Sequence, residues 1–204
     1  MMKILTVSDA IDPTLYPVPD RQRVRDVGLI LSCGDLAPEY LSFLINRIGA
    51  PLFYVCGNHD IRHGTKPPQG GINLHARLLS FKGLNMLGLE GSMWYNGGPY
   101  QYTESEMRRM VRRLRIGIWW QGGIDVVIAH APPRGVHDDR DRCHQGFETF
   151  RWLIHKYKPR YFIHGHVHRL FNEPSERVTT VDETQVINAY GCHILEVDDQ
   201  ECRQ

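Results

Sequence analysis

A run of four apolar residues, LFYV at positions 52–55, ends in Cys56 and the polar tetrapeptide GNHD at positions 57–60. Short apolar runs bounded in this way are typical of strands buried inside a parallel sheet. In an open α/β sheet, the loops that follow the carboxyl ends of such strands are the usual location of a functional site. The stretch therefore predicts an α/β fold with a candidate site at one sheet edge.

Similar apolar runs occur elsewhere in the chain, and each ends abruptly in polar or glycine residues. They lie at residues 3–7, 29–32, 126–129 and 161–163. Hairpin strands are predicted at residues 78–81 and 85–89, and C-terminal strands at residues 178–181, 185–188 and 193–197. Helices are predicted at residues 38–48, 104–114 and 146–157, the second with a capping box of Thr103 and Glu106. Helices that alternate with the early strands and then give way to hairpins predict a two-sheet α/β sandwich flanked by helices.

Length and composition limit the class of protein. The 204 residues suit a single domain over residues 1–204, and 42% apolar with 23% charged residues is a globular composition. A formal net charge of +1 argues against a nucleic-acid partner. The five cysteines form no CxxC pair, which favours a reducing compartment. With no visible signal peptide and no apolar run near about 18 residues, we expect a cytoplasmic protein without a membrane span.

Side chains able to bind metal follow five of the predicted strands. They are Asp9, Asp35, Asn58, His130, His166 and His168. Each is weak evidence alone, because an aspartate after a strand is more often a helix cap and a lone histidine is more often structural. Because they follow separate strands, however, all can converge on one sheet edge. Their mixed oxygen and nitrogen donors suit Mn²⁺, Fe²⁺ or Zn²⁺.

At these residues the chain resembles the calcineurin-like metallophosphoesterases. The resemblance rests on Asp9, Gly34-Asp35, Gly57-Asn58-His59-Asp60, His130 and Gly165-His166-Val167-His168, which follow the family's order over nearly the whole chain. It implies the two-sheet sandwich fold. It also implies a metal-dependent phosphoesterase that hydrolyses phosphomonoesters or phosphodiesters with metal-activated hydroxide.

The resemblance also implies a role for each residue. Asp35 bridges two divalent ions, for which Mn²⁺ is the expected metal and Fe²⁺ or Zn²⁺ the alternatives. One site is completed by Asn58, His130 and His166, and the other contains Asp9 and His168. His59 is the candidate general acid, which would protonate a poor leaving group. Asp60 is a supporting residue that orients the loop.

The first motif departs from the family pattern. The family has Asp-x-His, whereas this chain has Asp9-Ala10-Ile11, and Ile11 cannot bind metal. The site of Asp9 and His168 is therefore expected to be weakened, with Asp12 the first candidate to replace the lost ligand. The departure keeps open a second hypothesis, a catalytically weak or inactive scaffold that binds a protein partner. The retained His59 favours the enzyme.

Three other features have two interpretations each. Five arginines at residues 108, 109, 112, 113 and 115 form either a nucleic-acid surface or, as we favour, a solvated helix face. Trp119-Trp120 either stacks on a base or packs in a core or interface. His137 and His144 either line the substrate pocket or are ordinary polar loop residues.

Overall fold

A computed structural model describes residues 2–197 as two β-sheets with helices on their outer faces. The first sheet contains β1 (Met2–Ser8), β2 (Val27–Ser32), β3 (Leu52–Tyr54), β4 (Gly71–Asn73) and β13 (Gly191–Val197), in the order β13-β1-β2-β3-β4. The second contains β5 (Leu78–Phe81), β6 (Leu84–Leu89), β9 (Val126–Ala129), β10 (Tyr161–His164), β11 (Val178–Val181) and β12 (Thr184–Asn188), in the order β11-β12-β10-β9-β6-β5. A short pair joins β7 (Ser92–Met93) to β8 (Gln101–Tyr102). The predicted two-sheet α/β sandwich is confirmed.

Within residues 2–197, four α-helices cover the sheets. They are α1 (Pro38–Ile48), α2 (Glu104–Arg113), α3 (Arg115–Trp120) and α4 (Glu148–Tyr157), with 3₁₀ turns at Ile61–Gly64 and Pro174–Arg177. The apolar side of α1 buries Tyr40, Leu41 and Leu44 against the first sheet. Helices α2, α3 and α4 pack together on the second sheet. No helix within residues 2–197 is long and apolar enough to cross a membrane.

The space between the sheets holds a third apolar cluster, to which both sheets contribute. Ile4 and Leu29 come from the first sheet, and Val126 and Ile163 from the second, and all four are buried. Burial on both faces explains why these strands are continuous apolar runs in the sequence instead of alternating polar and apolar residues.

Helix ends differ from the prediction at two places. The middle helix ends at Arg113 and a separate helix, α3, follows it, although the predicted capping box of Thr103 and Glu106 is present. The last helix begins at Glu148 instead of residue 146. Gly146 lies against the backbone of the preceding loop, where a Cβ atom would be 2.5 Å from the Pro132 oxygen, and Phe147 forms a bridge with Pro133. These contacts keep residues 146 and 147 out of the helix.

The topology brings the strand ends together. Strands β1, β2 and β3 are mutually parallel, as are β9 and β10, so the loops after their carboxyl ends emerge in two parallel groups. The two groups meet, because Asp35 after β2 contacts His130 after β9, with 3.4 Å between the carboxylate and Nε2. The candidate site therefore lies where the two sheets share a rim.

Candidate metal centre

Three predicted ligands from three different strand ends form one cluster. Asp35, His130 and His166 place ligand atoms within 4.8 Å of one another. The His130 and His166 rings lie 4.7 Å apart, centroid to centroid. Asn58, after β3, joins them through its Oδ1 atom, which is 3.1 Å from His130 Nε2. The structure therefore brings together all four side chains that the sequence assigns to one site.

The orientation of His130 shows what this cluster can bind. Its Nδ1 lies 2.8 Å from the Cys33 carbonyl oxygen, which can only accept a hydrogen bond, so the neutral ring carries its proton on Nδ1. The Nε2 lone pair then faces two more acceptors, Asn58 Oδ1 at 3.1 Å and Asp35 Oδ2 at 3.4 Å. Lone pairs that converge in a buried space repel one another unless a cation or a proton lies between them. The donor set therefore fits a divalent ion.

The pKa values of Asp35 and His130 show that each group stabilises the charged form of the other. Burial opposes a charge on His130, but the Asp35 carboxylate outweighs it and raises the pKa of His130 to about 9. Burial likewise opposes ionisation of Asp35, yet the neighbouring His130 lowers the pKa of Asp35 to about 2. A cation bound here would meet an ionised carboxylate and could take the place of the proton on His130.

His166 is held as a neutral imidazole with one free nitrogen. Its Nε2 lies 2.6 Å from the Cys143 carbonyl oxygen, so Nε2 carries the proton and Nδ1 the lone pair. Burial and then the nearby His130 lower the pKa of His166 to about 3. A neutral ring with a fixed tautomer is the form in which histidine binds metal.

Asp9 and His168 form the neighbouring part of the site. Asp9 Oδ2 accepts a hydrogen bond from the His166 backbone N–H at 2.9 Å, whereas Oδ1 is buried and makes no hydrogen bond. His168 Nε2 lies 3.4 Å from Oδ1, which is an ion-pair distance when the ring is protonated. Gly165 permits this approach, since a Cβ atom there would lie 2.5 Å from Asp9 Oδ2. A buried carboxylate oxygen without a partner is unfavourable, and it fits a cation-binding position.

Asp60 ties the GNHD loop to the rest of the site. Its Oδ2 atom accepts hydrogen bonds from Gly57 N–H at 2.8 Å and from Asp35 N–H at 2.7 Å. The His59 N–H in turn donates to Asp35 Oδ1 at 2.9 Å. The His59 side chain is exposed beside the cluster. Asp60 thus sets the positions of two predicted ligand loops without facing the candidate metal position itself.

Replacing Asp60 by asparagine is expected to weaken Mn²⁺ binding by about 10–100-fold, the usual effect of changing a residue that orients ligands. An amide has only one acceptor atom, whereas both oxygens of Asp60 face donors, the second being His63 Nε2 at 3.3 Å. Isothermal titration calorimetry measures the affinity. Asp20→Asn is the matched control, because Asp20 also accepts two backbone N–H bonds, from Gln22 and Arg23. Equal affinities in the two variants would contradict the positioning role.

One known protein family matches most of this chain. A sequence model of the calcineurin-like phosphoesterases matches residues 6–170. The chain belongs to the calcineurin-like phosphoesterase family. The UPF0046 protein C25E10.12 of Caenorhabditis elegans is 25% identical over 211 residues, which cover 86% of this chain and 69% of that protein.

Solved structures share the fold of this calcineurin-like phosphoesterase at low sequence identity. A dimetal phosphatase from Danio rerio, LOC 393393, is 12% identical, with 93% of this chain and 87% of that chain covered and a TM-score of 0.59. The protein TT1561 of Thermus thermophilus is 14% identical, with 93% and 89% covered and a TM-score of 0.58. At these identities the likeness concerns the fold alone.

Asp12 is not positioned to supply the metal ligand that is lost at Ile11. Ile11 is 49% exposed, so its side chain does not fill a gap in the core. Asp12 Oδ1 accepts bonds from the Thr14 N–H and hydroxyl at 2.8 and 2.6 Å, and Oδ2 accepts one from the Cys192 thiol at 3.0 Å. Both oxygens are therefore engaged elsewhere, which argues against the hypothesis that Asp12 supplies the lost ligand.

We expect two unequal metal sites in this calcineurin-like phosphoesterase. The Asn58, His130 and His166 site should fill first, and the Asp9 and His168 site only at higher Mn²⁺, because the latter lacks one imidazole. Ile11→His should tighten the weaker site by at least about tenfold, since even residues behind the ligands change affinity by that factor. Calorimetric titration of metal-free protein measures both affinities.

The matched control is Ile72→His, which places a histidine at a similarly exposed isoleucine, 46% against 49% for Ile11, on strand β4. It should leave both affinities unchanged. Two equally tight sites in the unmodified protein would show that another residue replaces the lost ligand. His144 would then be the first candidate, since its ring lies 6.5 Å from that of His168.

The structure places His137 and His144, the two loop histidines whose roles the sequence leaves open, in different surroundings. His137 has Nδ1 2.9 Å from His164 and Nε2 2.8 Å from the Thr179 hydroxyl, and is thus bonded within the fold. The His144 ring instead lies 5.1 Å from the His166 ring, beside the site.

Tyr95, which accepts a hydrogen bond from Asn58 Nδ2 at 3.3 Å, is a site residue that no sequence motif indicates. It lies in an irregular loop far from every motif.

Proposed function

We propose that this protein is a metal-dependent phosphoesterase that hydrolyses phosphomonoesters or phosphodiesters. The observation that carries the proposal is the convergence of three acceptor atoms in a buried space, with Asn58 Oδ1 and Asp35 Oδ2 lying 3.1 and 3.4 Å from His130 Nε2. Membership of the calcineurin-like phosphoesterase family supports the same activity.

The proposed ligands fall into two groups that share one carboxylate. Asp35, Asn58, His130 and His166 would hold one divalent ion, and Asp9, Asp35 and His168 a second, more weakly held one. Mn²⁺ is the proposed metal, with Fe²⁺ and Zn²⁺ as alternatives, because the donor set mixes oxygen and imidazole nitrogen. Bound ions of this kind screen phosphoryl charge and lower the pKa of coordinated water toward about 7.

We assign the proton transfer to His59. Its backbone is anchored by the bond to Asp35, while its ring is exposed and therefore reachable by a bound substrate. A protonated imidazole at this position would donate to the leaving alkoxide oxygen, a step typically worth about 10²–10⁴-fold in rate. The His168 side chain is 60% exposed, so the site is also accessible to solvent beside this residue. Access from solvent on both sides suits monoesters as well as diesters.

The experiment combines metal analysis with two chromogenic substrates. Purified protein is stripped with a chelator, reloaded with Mn²⁺, and assayed with p-nitrophenyl phosphate and bis-p-nitrophenyl phosphate. We expect bound Mn²⁺ and hydrolysis of at least one ester that disappears on stripping and returns on reloading. Stoichiometric Mn²⁺ binding without hydrolysis of either ester would refute the enzyme and leave the scaffold hypothesis.

The scaffold hypothesis has one specific observation in its favour, the exposed Ile11 where the family has a ligand. A scaffold would bind a protein partner and need no proton donor. It therefore predicts that partner binding survives His59→Ala, whereas the phosphoesterase predicts that turnover of alkyl esters does not.

We further propose that the protein acts in the cytoplasm. Cys33, Cys56, Cys143 and Cys192 are all free thiols. Free buried cysteines are typical of proteins in a reducing compartment. Fractionation of cells expressing a tagged full chain tests this, and recovery from the secreted fraction would refute it.

A further inference from the structure

The outer surface of α2 and α3 combines positive charge with exposed apolar side chains. We call it the Arg/Trp face, which consists of Arg108, Arg109, Arg112, Arg113, Arg115, Ile116, Trp119 and Trp120. Ile116 is 74% exposed, Trp119 77% and Trp120 81%. These exposures exclude a core position for the two tryptophans, whereas the interface interpretation and the base-stacking interpretation stay open. Large apolar side chains grouped at such exposure commonly mark a binding surface.

Helical spacing explains why these residues share one side. Within α2, Arg112 and Arg113 lie four residues after Arg108 and Arg109, and within α3, Trp119 and Trp120 lie four residues after Arg115 and Ile116. Residues at these separations lie along one side of a helix. The opposite side buries Met107, Val111 and Ile118 against the second sheet. The exposed side of α2 thus carries arginines, and the exposed side of α3 carries Arg115 with three apolar residues.

The arginines of the Arg/Trp face form no close ion pairs within residues 2–197, although Glu106 lies beside Arg109 and Arg113. Within the described part of the chain, residues 2–197, none of the five arginines has a carboxylate oxygen within 4.0 Å. The only acidic residues of α2 are engaged at its first turn, Glu104 with Thr149 and Glu106 with Thr103. Five of the chain's 24 lysine and arginine residues lie within eight consecutive positions, 108–115.

A cleft at the α3 end of this surface has the chemistry of a phosphate-headgroup site. It has a volume of about 530 Å³ and is lined by Arg112, Arg115, Ile116, Trp119, Lys156 and Tyr157. Three cationic side chains can bind phosphate oxygens, while indole and aliphatic groups form the walls. Tryptophan beside arginine and lysine is the combination found where proteins contact the interface of a bilayer.

We propose that the Arg/Trp face docks the protein on the surface of an anionic lipid bilayer. Arginines would bind lipid phosphates, and Ile116, Trp119 and Trp120 would insert among the headgroups. A second copy of the chain is an unfavourable partner for this face, because the arginines of the two copies would repel one another. Single-stranded nucleic acid could use the arginines and stack on the indoles, but it gives Ile116 no apolar partner.

Docking in this way leaves the metal centre open. Helix α3 leads into the beginning of β9 at Val126, whereas His130 follows the other end of the same strand. The α3 part of the Arg/Trp face, with Arg115, Ile116 and the two tryptophans, therefore lies towards the end of the second sheet opposite the metal centre. The proposal is independent of catalysis, and it holds for an enzyme or for a scaffold.

Vesicle flotation with the full chain tests the proposal. We expect binding to vesicles of phosphatidylcholine with phosphatidylserine, no binding to phosphatidylcholine alone, and weakening at high salt. Tryptophan emission should shift to shorter wavelength on binding. The double variant Arg112→Gln with Arg115→Gln should reduce partitioning by roughly 30-fold, and Trp119→Ser with Trp120→Ser should abolish the emission shift.

Matched controls lie on other surfaces. Arg25→Gln with Arg47→Gln removes the same charge from exposed positions, and Trp94→Ser removes an indole that is 52% exposed. Both should bind vesicles like the unmodified protein. Circular dichroism confirms that every variant is folded. Equal losses in controls and test variants, or no binding to phosphatidylserine vesicles at all, would overturn the proposal. Binding of a single-stranded oligonucleotide without vesicle binding would assign the face to nucleic acid instead.

Discussion

Replacing Asp35 by asparagine is expected to remove both Mn²⁺ binding and hydrolysis, with a loss of rate of roughly 10³-fold or more, because metal chemistry contributes several kcal/mol. The asparagine oxygen can still accept the His59 N–H bond that Asp35 Oδ1 accepts at 2.9 Å. The other carboxylate oxygen, 3.4 Å from His130 Nε2, becomes an uncharged amide nitrogen without a lone pair for metal. The change thus removes charge and a ligand atom while the shape of the side chain is kept.

Metal content by elemental analysis and turnover of both chromogenic esters measure this loss. Asp182→Asn is the matched control, since Asp182 is also a carboxylate that contacts a histidine, His155, but on the exposed surface. It should retain metal and rate. Thermal unfolding of the metal-free proteins checks that Asp35→Asn still folds. A folded Asp35→Asn protein with full metal content and normal turnover would contradict the proposed bridging role.

Replacing His59 by alanine is expected to slow hydrolysis of alkyl phosphoesters by about 10²–10⁴-fold while p-nitrophenyl esters lose little. The reason is that an alkoxide leaving group needs a proton, whereas p-nitrophenolate leaves without one. Alanine keeps the backbone N–H that donates to Asp35, so the ligand loop should stay in place. Metal content should therefore be unchanged, which separates this variant from Asp35→Asn.

Turnover numbers for a matched alkyl and aryl ester pair provide the measurement. His155→Ala serves as the control, because His155 is also an exposed histidine but lies on α4. This variant should hydrolyse both esters at the unmodified rate. Equal losses for the two esters in His59→Ala would mean that His59 binds substrate instead of protonating the leaving group. A rise in the Michaelis constant without a fall in turnover would lead to the same conclusion.

The sequence was sufficient to predict the strands that carry the site. Residues 52–55 and 126–129 are buried. Because burial on both faces of a strand favours an apolar residue at every position, such a strand is visible in the sequence as an unbroken apolar run. The capping box of Thr103 and Glu106 is local as well and is present. The predicted start of the last helix at residue 146 was wrong, because Gly146 packs against the backbone of Pro132, a contact that the local pattern does not contain.

The convergence of the candidate ligands also follows from the sequence, through the order of motifs at successive strand ends. Which atom of each ligand is free does not follow from it. The Cys33 carbonyl fixes the His130 proton and the Cys143 carbonyl fixes that of His166, across separations of 97 and 23 residues. The first contact arises only when the two sheets have packed together, and the second only when the loop after β9 has folded against the end of β10.

The sequence by itself determined the α/β sandwich, the family motifs and the loss of a ligand at Ile11, because apolar periodicity and residue identity are local properties of the chain. Only the tertiary structure decided that Asp12 is bonded to Cys192, 180 residues away, and cannot replace that ligand. It also decided that Trp119 and Trp120 face solvent. A helix has one buried side, and in α2 and α3 Met107, Val111 and Ile118 already occupy it.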